Sequence, residues 1–88
     1  MLTMKTSMKA RVYVSLKPTV LDPQGKTICA ALAGLGHRGI ADVRQGKFFD
    51  IAIDPAARLE EVRKDIELIA HDVLANPVIE EYRVEFLD

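Results

Sequence analysis

Arg11-Val12-Tyr13-Val14-Ser15-Leu16-Lys17 is a run in which every second side chain changes character. Val12, Val14 and Leu16 point to one side of an extended chain and Arg11, Tyr13, Ser15 and Lys17 to the other, the period of two that marks a strand. Pro18 lacks a backbone donor and helps end it. Asp22-Pro23 then opens a helix. Aspartate caps free N–H groups, and proline suits the first helical position, where its missing N–H is not needed. Ile28, Ala31, Leu32 and Leu35 follow at steps of three and four on one helical face, and Gly36 supplies the stop.

Two further strands are expected at 40–45 and 48–53, joined at Gly46-Lys47, with Gly46 taking the positive φ of a turn or bulge. Asp54-Pro55 repeats the opening signal and starts a second helix. Its apolar stripe is Leu59, Val62, Ile66, Ile69 and Val73; Glu60, Glu61, Arg63, Lys64, Glu67 and Asp72 form the solvated face. Asn76-Pro77 ends this helix. Residues 78–87 read as the last strand, with Tyr82, Val84 and Phe86 on one face. The order β-α-β-β-α-β predicts an α+β fold, a two-layer sandwich of a four-stranded antiparallel sheet with two helices on one face.

The 88 residues suffice for one small domain, and a core of that size gains from oligomerisation. The net charge of −1 argues against a nucleic-acid binder or an electrostatic membrane ligand. A single cysteine, Cys29, forms no internal disulfide, which suits a reducing cytoplasm. No apolar run approaches the roughly 20 residues of a membrane span. Residues 1–8 carry Met1, Met4 and Met8 among polar residues, without the apolar centre of a signal peptide, and read as a disordered lead-in. The folded domain is expected over 9–88.

A catalytic or metal constellation is not legible. His37 and His71 have no ligand spacing to each other or to Cys29, and Cys29 sits inside a helix rather than at its N-terminus. His37 reads as a turn residue and His71 as a cation near a helix end. Two segments are less easily explained by structure alone. In Leu21-Asp22-Pro23-Gln24-Gly25-Lys26, Gly25 costs a helix roughly 1 kcal/mol relative to alanine, so something is expected to pack against it. In Val43-Arg44-Gln45-Gly46-Lys47, Arg44 and Lys47 flank a glycine and suit a carboxylate or phosphate. The sheet face away from the helices would show Tyr13, Ser15, Phe48 and Ala52 among charges, a mixed surface suited to a second sheet or a partner.

These segments carry a family resemblance. Val14-Ser15-Leu16-Lys17, Val20-Leu21-Asp22-Pro23-Gln24-Gly25, Leu32 to Gly36 and Asp42-Val43-Arg44-Gln45-Gly46-Lys47 resemble, in order and spacing, the pattern of the PurS family. The likeness runs from about Lys9 to the end. It implies a small non-catalytic subunit of phosphoribosylformylglycinamidine (FGAM) synthase, an ATP- and glutamine-dependent ligase of purine biosynthesis. Such a subunit joins a PurL synthase and a PurQ glutaminase and supports ammonia transfer between them. It implies no cofactor on this chain, with ATP, Mg and glutamine used by the complex, and a homodimer or tetramer. On that reading the partner-contact candidates are Lys17, Asp22, Gln24, Gly25, Lys26, Arg44, Gly46 and Lys47, and the oligomer-interface candidates are Tyr13, Ser15, Phe48 and Ala52.

The same element order also fits an ACT-type module that binds amino acids between copies. An acylphosphatase-like enzyme needs an arginine in the first strand-to-helix loop, where this chain has Pro18-Thr19-Val20-Leu21. An RNA-recognition domain needs an aromatic signature that Lys47-Phe48-Phe49-Asp50 does not provide.

Overall fold

In the computed structural model, which describes residues 8–87, β1 (Lys9–Leu16) is the middle strand of the sheet. It is flanked antiparallel by β2 (Gly46–Ala52) and β3 (Glu80–Leu87). Between them in sequence lie α1 (Pro23–Gly34) and α2 (Leu59–Ile69), the latter continued by a π-helical turn (Ala70–Leu74). The expected lead-in falls outside the described residues except for Met8, which packs against the core and whose carbonyl accepts from Ile53 N at 3.1 Å.

Register fixes the two faces. Ala10 lies between Ile51 and Phe86, Val12 between Phe49 and Val84, and Val14 between Lys47 and Tyr82. Residues opposite one another on a ladder share a face, so these nine form the inner face. Ala10, Val12 and Val14 are essentially fully buried there beneath Ile66 and Ala70. The alternation read in β1 is therefore the alternation of the core.

α2 covers this face, with a shift of frame. Leu59, Val62 and Ile66 face the sheet as expected. The π turn then takes up an extra residue, so Ala70 and Leu74 reach the core in place of Ile69 and Val73, and Val73 is 72% exposed. The helix also starts later than Asp54-Pro55. Asp54 Oδ1 accepts from Ala56 N at 2.9 Å and stabilises a turn instead, and α2 begins at Leu59.

Three expectations are corrected. Among the described residues the sheet has three strands, not four, and 40–45 forms no ladder with β2. Gly46 and Lys47 are the first residues of β2 rather than a hairpin turn, and Gly46 has no positive φ. Gly46 is instead a close approach: a Cβ there would lie 2.9 Å from the Val14 carbonyl oxygen. Nor do both helices cover the sheet, since no α1 residue joins the core cluster. Ile28 and Leu35 are 41% and 74% exposed. The radius of gyration is 17.5 Å, against about 12 Å for a compact chain of this length. The α1 stop was read correctly. Gly36 has φ 97°, with His37 N donating to Leu32 O and Gly36 N to Ala33 O, a Schellman ending.

The frame shift sets a contrast between neighbouring isoleucines. Ile66→Ala is expected to cost about 2–4 kcal/mol in urea unfolding, because Ile66 is 2% exposed in the core. Ile69→Ala, on the turn's outer side, is expected to cost less than about 1 kcal/mol.

Candidate functional site

The two segments singled out in the sequence meet in space. Asp22 is buried at the N-terminus of α1, and its carboxylate accepts twice: Oδ1 from Gly25 N at 2.9 Å and Oδ2 from Gln45 N at 2.6 Å. One bond caps the helix; the other ties it to the returning segment 40–45. Arg44 closes the far side, donating from Nη2 to the carbonyls of Lys17 at 3.0 Å and Val20 at 2.8 Å. Gln45 Nε2 donates to Gln24 Oε1 at 2.6 Å. Farther along, Cys29 Sγ lies 3.8 Å from Ile40 O. Residues 40–45 therefore run back along α1, and together they form an arm rooted beside the end of β1.

Gly25 is explained by this arm. A Cβ at Gly25 would collide with the Val43 backbone carbonyl. The space that the sequence left for something to pack against is filled by this chain's own backbone.

The Gln45 and Gly25 amides hold the Asp22 carboxyl below the ordinary carboxylate range, with burial opposing and Arg44 assisting. On the outer sheet face, Tyr13 and Phe48 lie side by side, ring centroids 6.2 Å apart. Arg83 stacks 4.1 Å from the Tyr13 ring and Arg11 4.5 Å from the Phe48 ring. Tyr13 Oη donates to Glu85 at 3.0 Å, and Arg11 pairs with Asp50 at 2.7 Å.

Comparison with known proteins decides what this arrangement belongs to. The family profile of PurS, phosphoribosylformylglycinamidine (FGAM) synthase, matches residues 9–88. The PurS subunit of FGAM synthase from Mycobacterium leprae is 46% identical over 76 residues, covering 86% of this chain and 91% of that protein. The chain belongs to the PurS family. The PurS subunit from Bacillus subtilis is 42% identical over 88% of this chain and 89% of its own length. The crystal structure of PurS from Methanocaldococcus jannaschii, a subunit of formylglycinamide ribonucleotide amidotransferase, superposes with a TM-score of 0.79 at 36% identity. It covers 92% of this chain and 96% of that one. A chain in the structure of PurLQS from Thermotoga maritima superposes with a TM-score of 0.81 at 28% identity, covering 94% and 100%.

Within this PurS fold the partner-contact candidates separate into two sets. Asp22, Gly25 and Arg44 are engaged with their own chain, and Gln24 is bonded to Gln45. Lys26 and Lys47 are exposed, and Lys17 is half-buried. Gly46 is held at the start of β2 by its approach to Val14. Tyr13, Ser15, Phe48 and Ala52 all lie on the outer face, as the alternation implied. The sequence reading missed the Val43 carbonyl and the Gln45 amide. Both are backbone groups, which no residue type announces. The available signal was glycine itself: Gly25, which the helix did not explain, and Gly46, which was assigned to a turn, each mark a place where a backbone carbonyl comes close.

By helix propensity alone Gly25→Leu gains stability; the Val43 carbonyl reverses the sign, and a lower melting temperature is expected. Asp22 contributes a pH dependence. Its folded pKa lies below its unfolded value of about 3.9. The stabilisation is therefore fully present above the unfolded pKa and is lost as pH falls through the folded pKa. Asp22→Asn should lower the melting temperature at pH 7 and flatten the loss of stability below about pH 4.

Proposed function

We infer that this PurS-family chain is the small, non-catalytic subunit of phosphoribosylformylglycinamidine synthase in purine biosynthesis. It bridges a PurL-type synthase and a PurQ-type glutaminase so that ammonia passes from one to the other without escaping to solvent. The observation that carries this reading is the match to PurS over residues 9–88, together with the superposition on a chain of PurLQS. The chemistry of the site agrees. Asp22 and Arg44 are taken up in bonds that hold the arm, and a carboxylate bonded to two amides on its own chain is a structural group rather than an acid or base.

In this reading ATP, Mg and glutamine are handled by the larger subunits and the chain itself binds no cofactor. The working form is a homodimer or tetramer. Lys17, Lys26 and Lys47 beside the arm root are the side chains best placed to meet acidic groups of a partner subunit. The outer face around Tyr13 and Phe48 provides a second contact. No helix among the described residues is long and apolar enough to cross a membrane, and the setting is the cytoplasm with the rest of the pathway.

Reconstitution tests the proposal. The isolated chain should show neither glutaminase nor synthase activity. Added to PurL-type and PurQ-type subunits from the same organism, it should restore glutamine-dependent FGAM formation, while ammonia-dependent formation by the synthase subunit needs it far less. Full glutamine-dependent turnover without this chain would refute the bridging role.

A further inference from the structure

The end of α2 carries two apolar registers, of which the structure uses one. An unbroken α-helix turns about 100° per residue, which places Val73 within about 20° of Ile66 and Leu74 about 80° away. The π turn reverses that order: Leu74 packs against the core and Val73 is 72% exposed. His71 and Asp72, exposed here, stay more than about 100° from Ile66 in the α register as well. Exchanging the registers therefore swaps one apolar side chain for another and buries no charged one. The bond that defines the π turn is Ala75 N donating to Ala70 O at 3.0 Å. Around it lie only surface contacts: His71 Nδ1 is 2.7 Å from Asp72 Oδ1, the His71 ring meets Tyr82 edge-on, and Tyr82 Oη donates to Glu67 at 3.4 Å.

The turn that follows is closed, and it is bonded to the root of the arm. Four hydrogen bonds join Asn76 to Val78, Ile79 and Glu80, so residues 76–80 move as a unit. Ile79 O accepts from Lys17 N at 2.9 Å, and Lys17 O accepts from Arg44 Nη2 at 3.0 Å. The π turn takes up one residue, equivalent to about 1.5 Å of helical advance. Returning that residue to the helix axis displaces the Asn76 turn. A turn closed in this way passes the displacement on to Lys17 rather than absorbing it.

We propose that the end of α2 is a one-residue register switch linked to the arm. In one state the π turn seats Leu74. In the other an α turn seats Val73, and the Asn76 turn and the arm root at Lys17 shift with it. Single π turns inside α-helices recur at functional sites, and helix register shifts run on the microsecond-to-millisecond scale. The coupling is reciprocal. A contact that buries Val73 from outside favours the π register and the arm position that goes with it; a contact that re-aims the arm at Lys17 shifts the register in return. The switch acts within one chain and does not depend on how many copies assemble.

Relaxation dispersion on methyl and amide groups of the full chain tests the switch. The Val73 and Leu74 methyls and the Lys17 amide should report one shared exchange process. Val73→Asp puts a charge where the π register already meets solvent and excludes the α register. It should keep its fold by circular dichroism and flatten the dispersion at Leu74 and Lys17. Leu74→Val removes one methylene from the π register's core contact and should raise the minor population about fourfold, the factor that one buried methylene represents. Flat profiles at Val73 and Leu74 in the native protein would overturn the switch, and exchange there that Lys17 does not share would overturn its link to the arm. Exchange that survives Val73→Asp unchanged would be fraying of the helix end and would equally overturn the proposal. A Val73→Asp chain that fails to fold would mean that Val73 is seated in the dominant state, which also contradicts it.

Discussion

The Asp22 carboxylate, shared between the Gly25 amide and the Gln45 amide, is the contact on which the rest of the chain's layout depends. A carboxylate has enough lone pairs to cap a helix and still accept a second bond. Because the second donor lies 23 residues away in sequence, capping and tertiary closure are one event. Once Gln45 is held at the base of α1, residues 40–45 must run along the helix. They are then unavailable as a fourth strand. β2 consequently begins at Gly46, where the Val14 backbone is close enough to exclude a side chain.

The molecule divides into a part that is complete and a part that is not. The sheet under α2 has a buried centre in Ala10, Val12, Val14, Ile66 and Ala70. The arm has directed bonds at its root but an exposed stripe along its length. Directed bonds fix where a segment points; apolar burial supplies most of the driving force for packing. In the arm, then, direction is set by bonds at the root while the apolar stripe along its length stays exposed.

Legibility in the sequence followed the range of the interactions. The β1 alternation, the Asp22-Pro23 opening and the Gly36 stop were readable because each depends on neighbours within a few residues. The family was readable because Leu21 to Lys26 and Val43 to Lys47 keep their order and separation. The three-stranded sheet was not readable, since 40–45 is apolar enough for a strand and nothing local shows that its partner is a helix. The π turn was equally hidden: Ile69 and Val73 continue a regular stripe, and only the packing of Ala70 reveals the slip. Gly25 and Gly46 were noticed but explained by a partner and by a turn, whereas both answer to backbone carbonyls of their own chain.

Hydrogen exchange along α1, followed as a function of protein concentration, tests most directly whether this arm is built to be covered by another chain. The amides of residues 28–34 should exchange more slowly as concentration rises through the association range, and more slowly again when the larger synthase subunits are added. The Val12 and Val14 amides, paired within the sheet, should change far less. Protection of α1 that is already complete in the dilute single chain, and independent of concentration and of partners, would contradict the account.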